Sequence, residues 1–268
     1  MSITWVLETE VYPDQHQTLI QSVQTANQQV ISWRESWTDP AERPRFDGQT
    51  VLFHGSLAVA DQLHREGTWQ PGAFCDTARF HCSHWFPRFP ALLIQEQVTF
   101  STVRRLCEHP AAVLAELGNP SKVFVRPDSP LKPFSGRVLT PEQLTPRGLD
   151  HGFYYDDLDL PVVVCAPITI SAEWRFVACA GTIVAASAYQ AEGRQALGDA
   201  VPGEAAAAAQ AVAAHPEWQD ALFVVDIGRS EQGYRLVELN PFSGADLYHC
   251  DRDAIVRAVT QWVKPSSL

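Results

Sequence analysis

Residues 236–244 read L-V-E-L-N-P-F-S-G, and no other stretch constrains the fold of this chain as tightly. It is an apolar strand pattern interrupted by a carboxylate, Glu238, and an amide, Asn240. Residues two apart on a strand point to the same side, so two hard oxygen donors leave one face while Val237 and Leu239 line the other. Just upstream, L-F-V-V-D-I-G ends a second apolar run with Asp226, and the intervening R-S-E-Q-G is rich in turn formers. A hairpin centred near Gln232 places Asp226 beside Glu238. Two facing carboxylates repel, by roughly 3 to 4 kcal/mol at about 4 to 5 Å and an effective dielectric of about 20. A divalent cation removes that conflict, and an all-oxygen donor set suits Mg²⁺, which usually also takes phosphate oxygens and water. The residues alone leave a second reading open, a solvated hairpin face on which E-x-N arises by chance.

Composition narrows the class. The 268 residues suffice for one large domain or two smaller ones, and a hydrophobic fraction of 46% with eight Trp and thirteen Phe supports a packed core rather than disorder. A net charge of −11 argues against broad contact with a nucleic-acid backbone. The opening M-S-I-T-W-V-L-E-T-E lacks the basic start of a secretory signal, and no run of eighteen apolar residues reads as a membrane span. Six Cys at 75, 82, 107, 165, 179 and 250 contain no C-x-x-C pair. Together these point to a cytoplasmic chain with free buried thiols. Cys75, His81, Cys82 and His84 form the one dense Cys/His patch, but its spacing fits no common zinc site.

Strand and helix patterns alternate throughout. Strands are expected at 4–8, 30–33 and 49–54, with helices at 13–29 and 56–66, which makes a small open sheet over about the first hundred residues. Residues 91–106, A-L-L-I-Q-E-Q-V-T-F-S-T-V-R-R-L, read as a helical connector whose first half also fits a strand. Residues 122–126 form an apolar strand, with Pro127 keeping Arg126 extended. Then comes the loop S-P-L-K-P-F-S-G-R with two cations, and a helix starting near Pro141. An apolar strand follows at 161–165, then a hairpin of 173–180 with 182–189 about Gly181. The run G-E-A-A-A-A-A-Q-A-V-A-A is a helix on propensity. A last helix over 252–263 shows apolar spacing at Ile255, Val256, Val259 and Val263.

Taken in order, residues from about 107 to 268 resemble the ATP-grasp superfamily. The likeness rests on a cation ending a strand before Pro (V-F-V-R-P), a Ser/Gly loop, an apolar hinge strand, an acidic residue opening the next strand, and the closing D…E-x-N hairpin. The resemblance implies an α/β fold: an N-terminal pre-ATP-grasp α/β domain over 1–106, then a two-lobed ATP-grasp domain over 107–268 with an antiparallel sheet in its last lobe. It implies ATP and Mg²⁺ as cofactors and an ATP-dependent ligase that joins a carboxylate to an amine through an acyl phosphate. The implied partners are small-molecule or peptide substrates, with neither nucleic acid nor membrane, and a homodimer is a candidate assembly.

The resemblance also assigns residues. Members commonly place Lys where this chain has Arg126, which keeps the charge and adds a planar fork suited to phosphate. Lys132 corresponds to a second phosphate cation, and Ser135 with Gly136 to the flexible loop whose backbone N–H groups cover the triphosphate. Residues 164–168 resemble the hinge that reads adenine, bringing in Cys165, Ala166 and Ile168. Glu173 corresponds to an acid near adenine or ribose, and Arg175 shares its strand face and would reach phosphate. Asp226, Glu238 and Asn240 correspond to the metal ligands, and Ser243 with Gly244 to a substrate-carboxylate turn. One departure stands out. Many amide-forming members carry Arg two residues before the first metal carboxylate, where this chain has Val224. Arg175, or failing that Arg229, would supply the charge, so Arg175, Arg126 and Lys132 are the catalytic candidates. An ATP-binding assembly protein without ligation, and a small-molecule kinase, stay open beside the ligase.

Overall fold

The run Ile3–Leu7 is buried at every position, as the central strand of a covered parallel sheet must be. In the computed structural model, which describes residues 3–191, 194–198 and 200–263, this strand is β1. It is followed by α1 (Pro13–Thr25), β2 (Gln29–Ser32), β3 (Thr50–His54), α2 (Leu57–Glu66) and β4 (Gln70–Gly72). The four strands pair in parallel in the order β2-β1-β3-β4. The small open sheet expected from the alternation is therefore complete by residue 72. Helix α1 ends at Thr25, short of the expected Gln29. Asn27 turns to φ 54°, and Gln29 already pairs with Thr4 in the sheet.

The chain forms two compact units, one of residues up to 76 together with those from 170 on, the other of residues 77–169. The division drawn after residue 106 falls inside a helix of the second unit. That unit holds α3 (Cys82–Trp85), β5 (Val98–Thr102), α4 (Val103–Glu108), α5 (Pro110–Glu116), β6 (Val123–Pro127), β7 (Arg137–Leu139) and β8 (Pro161–Cys165). Its sheet is antiparallel in the order β5-β8-β6-β7. The expected connector over 91–106 is thus irregular to residue 97, then strand, then a short helix. The β-branched residues Val98, Thr99 and Thr102 favour the strand, and the Thr102 hydroxyl accepts the Arg105 N–H (3.2 Å) to start α4. Near Pro141 only a single 3₁₀ turn forms, Pro141–Gln143. Val123, Val125, Val162 and Val164 pack with Leu106, Val113 and Phe134 in this unit's core.

From 170 on, the first unit adds β9 (Ala172–Cys179), β10 (Thr182–Ala191), β11 (Arg194–Gly198), α6 (Gly203–Ala213), β12 (Leu222–Ser230), β13 (Gly233–Pro241) and α7 (Arg252–Val263). The sheet order is β11-β10-β9-β12-β13, antiparallel throughout. Small side chains let α6 lie close to the sheet, burying Ala205, Ala209 and Ala213. A single core cluster gathers Trp5, Leu19 and Val23 with Val177, Leu222, Val224, Ile255 and Val259. The two chain segments of this unit are therefore one packed body.

Among the described residues no group of three or more His, Cys, Asp or Glu is placed to hold a metal. Cys75 and Cys82 are buried free thiols, and His81 pairs with Asp128 (3.1 Å). No described helix is long and apolar enough to cross a membrane.

Candidate functional site

The hairpin of β12 and β13 does bring Asp226 opposite Glu238, by a route the sequence does not display. The turn is tight, with Ser230 paired to Gly233. Regular pairing from there would put Val237 opposite Asp226. A register shift beyond Ile227, which faces Leu236, inserts one extra residue and moves Glu238 into place. Such a bulge commonly re-aims a side chain beside a functional site. Asn240 shares the face, and its amide nitrogen donates to Asp226 Oδ2 (3.1 Å) and Glu238 Oε2 (3.2 Å). Amide orientation is assigned from such networks, so a flipped Asn240 presents oxygen on the same side.

The row continues on the other flank of β12. Arg175 of β9 stands in register with Asp226 and grips it with both arms, Nε to Oδ1 (2.8 Å) and a terminal nitrogen to Oδ2 (2.7 Å). Its remaining arm donates to the Asp246 carbonyl (2.7 Å). Arg175 is 8% exposed, Asp226 1% and Glu238 9%. Burial pulls the Arg175 pKa down, but the charge and hydrogen bonds of Asp226 outweigh it and hold the pKa above its ordinary value. Arg175 ion-pairs Asp226, and Glu238 stands beside that pair on the same face. The donor set of Asp226, Glu238 and Asn240 is oxygen-based as Mg²⁺ requires, so the residues fit it.

Val224 is fully buried and pairs with Val177 inside the apolar core. The cation beside Asp226 comes instead from the adjacent strand. Arg229 lies at the far end of β12, exposed and paired with Tyr234, remote in register from Asp226.

Several members of this cluster carried no signal in the sequence. Tyr189 and Tyr248 stack at 5.0 Å and 6°, and the Arg175 guanidinium carbon lies 5.5 Å and 4.9 Å from their ring centres. Both distances are within cation–π range. Tyr248 takes φ 44°, a left-handed conformation costly for a bulky residue. The Tyr189 hydroxyl donates to Glu173, so Glu173 and Arg175 belong to one aromatic-lined group. Asp246 accepts from the Gln15 side chain (2.6 Å) and the Tyr248 N–H (2.7 Å), and the Tyr12 hydroxyl donates to the Gly244 carbonyl (3.1 Å). Burial, then the Asp246 charge, pushes the Tyr12 pKa up to about 12.

The turn after the hairpin differs from the substrate-carboxylate role expected for it. Ser243 is fully buried, and its hydroxyl oxygen accepts the Phe74 N–H (2.8 Å), so it staples two backbone segments. Gly244 is dictated by packing: a Cβ there would lie 2.7 Å from the Leu57 Cα.

In the second unit, β6 and β8 place Arg126 opposite Val163 and Phe124 opposite Cys165. Burial raises the Cys165 thiol to about 11, while the Arg126 charge lowers it, which puts the two side chains near one another. A Cβ on Gly136 would meet the Phe124 ring at 2.5 Å and the Arg126 Cβ at 3.6 Å, so the loop folds over this same face. Arg126, Gly136 and Cys165 are thereby brought together. Ser135 is exposed beside them in sequence. Lys132 is exposed in a left-handed turn, φ 46°. Ala166 is exposed and Ile168 half-buried in the irregular stretch after β8.

A family model of the ATP-grasp domain, the second family of its clade, matches residues 95–258. No curated protein matches the chain in sequence. Among solved structures, D-cycloserine synthetase DcsG superposes with a TM-score of 0.69 at 14% identity, covering 98% of this chain and 100% of its own. The ATP-grasp ligase PsnB complexed with minimal precursor gives 0.62 at 14%, covering 97% and 98%. The D-alanine–D-alanine ligase from Bacillus anthracis gives 0.61 at 13%, covering 98% and 93%. At these identities the structures speak to the fold.

Proposed function

The chain belongs to the ATP-grasp domain family, and from that premise we propose that it is an ATP- and Mg²⁺-dependent ligase that joins a carboxylate to an amine. The observation that carries the reading is the buried row Arg175, Asp226, Glu238 with Asn240 at its corner. ATP phosphorylates the substrate carboxylate, and the amine then displaces phosphate through a tetrahedral intermediate. Asp226, Glu238 and Asn240 would hold Mg²⁺, which would supply charge neutralisation for the triphosphate oxygens. Arg175 fixes Asp226 in place and contributes the positive charge that Val224 cannot. Arg126 and Lys132 bind phosphates, with Ser135 and Gly136 offering backbone N–H groups. Cys165, Ala166 and Ile168 read adenine through their backbone, and Glu173 lies toward the ribose. Similar folds include a D-cycloserine synthetase, a D-alanine–D-alanine ligase and a ligase complexed with a precursor, so amino-acid-like and peptide substrates head the panel to be screened.

The test is phosphate release from ATP with carboxylates and amines offered singly and in pairs, with and without Mg²⁺. Release that needs both partners and Mg²⁺ supports ligation. ATP binding without turnover across the panel would replace it with a binding role, and a stable phosphorylated product with a kinase. A second expected result concerns Arg126. Because its charge is assigned to phosphate, Arg126→Ala should weaken ATP by about 1.5 to 3 kcal/mol and AMP by much less, as read by calorimetric titration. Equal losses for the two nucleotides would remove Arg126 from the phosphate role.

A further inference from the structure

Residues 150–159, D-H-G-F-Y-Y-D-D-L-D, hold four Asp and neither Lys nor Arg. They form a braced loop in the second unit. Tyr155 anchors it, stacking on the buried Phe134 at 5.3 Å and donating its hydroxyl to the Leu149 carbonyl (2.9 Å). The Gly152 N–H donates to the Tyr155 carbonyl (2.6 Å), and the Phe153 N–H to the Asp150 carbonyl (3.1 Å). Asp150 is ion-paired with Arg137. On this support the tip carries Phe153, 77% exposed, and Tyr154, 65% exposed, with rings 4.5 Å apart. These are the two most exposed of the large apolar side chains described, and neither packs on the core. Two rigid aromatics held outward by a fixed backbone are the anchors that interfaces favour, since little side-chain entropy is lost on contact.

The surrounding charge selects the partner. Asp159 is taken up by Arg104 (2.8 Å). The Asp156 carboxylate makes no hydrogen bond or ion pair among the described residues, and exposed Asp157 accepts the Asp159 N–H (2.8 Å). An anionic lipid surface is repelled by these groups, and so is a second copy of the same acidic loop in a chain of net charge −11. We propose that the Phe153–Tyr154 tip docks a peptide segment in which Lys or Arg flanks an apolar side chain. The apolar group packs on the rings, and the cation lies over a ring face and toward Asp156 and Asp157. This surface stands independently of the ligase reading.

The experiment uses the full chain and three short labelled peptides followed by fluorescence anisotropy: alternating Arg and Leu, alternating Glu and Leu, and alternating Arg and Ser. Binding is expected for the Arg/Leu peptide only, weakening as salt is raised. The double variant Phe153→Ser, Tyr154→Ser should lose about tenfold or more in affinity, with its thermal midpoint unchanged because neither ring is buried. Asp156→Asn with Asp157→Asn should reduce the salt dependence. Equal binding of the Glu/Leu peptide, or full binding by the double variant, would overturn the proposal. So would self-association or binding to anionic vesicles that the double variant abolishes in place of peptide binding.

Discussion

Arg175→Ala is expected to cost the fold about 3 to 5 kcal/mol in a metal-free buffer, because removing one partner of a buried ion pair strands the other. Here the loss is compounded. Asp226 would keep its burial and lose both guanidinium hydrogen bonds while still facing Glu238 across the hairpin. The Asp246 carbonyl would lose its donor as well. The control is Asp226→Asn, alone and combined with Arg175→Ala, measured by urea denaturation. The double variant should be markedly more stable than the sum of the single losses predicts, since the repulsion goes when the charge goes. Mg²⁺ added to Arg175→Ala should raise its midpoint more than it raises that of the wild type, as binding to the folded state alone stabilises by mass action. Strictly additive losses, with no extra response to Mg²⁺, would mean that Arg175 matters only through packing and that the carboxylates do not form a metal site.

That row also marks how far the sequence can be read. Alternation along β13 was enough to put Glu238 and Asn240 on one face, because side-chain direction in a strand has a fixed period. The pairing of Asp226 with Glu238 depended on a bulge, which nothing in R-S-E-Q-G or in V-E-L-N encodes visibly. A tight turn and an inserted residue offset each other, and a hairpin centred near Gln232 reproduces the pair without either. The place of Arg175 beside Asp226 is a matter of strand order, with β9 next to β12 across some fifty residues of chain, and long-range order leaves no local pattern. Tyr248, with its left-handed backbone, is likewise held by tertiary contact against local preference. Three strands of the first sheet were readable because each is followed by its own helix or turn, whereas β4 and residues 91–106 were not. Over 91–106 a β-branched run and a helical one adjoin with no Gly or Pro between them.

A second large effect should appear with pH. His16 of α1 and His54 at the end of β3 are 1% and 0% exposed and share a hydrogen bond of 2.9 Å between His16 Nε2 and His54 Nδ1. Their other nitrogens lie toward the backbone of Glu8 and Ala245 but make no well-aligned hydrogen bond. The rings of Tyr12 and Phe242 close around them, and the nearby charge is the cation of Arg252. Burial pushes the His16 pKa down to about 4. Burial, then the charges of His16 and Arg252, also lowers His54 well below its ordinary value. In the unfolded chain both titrate near about 6.5. Above that pH the two states bind the same protons and the contribution of the pair to stability is fully present. As pH falls below it, the unfolded chain takes up protons that the fold excludes, so stability declines until the folded pKa is reached. For His16 alone the loss by about pH 4 is on the order of 3 kcal/mol. Urea midpoints taken from about pH 7.5 down to about 4.5 should therefore slope downward in the wild type. His16→Gln removes one of the two titrations, so whatever it costs at neutral pH, its slope over that interval should be distinctly shallower. Parallel slopes in the two proteins would show that the acid sensitivity comes from the carboxylates and that the buried imidazoles titrate no differently folded than unfolded.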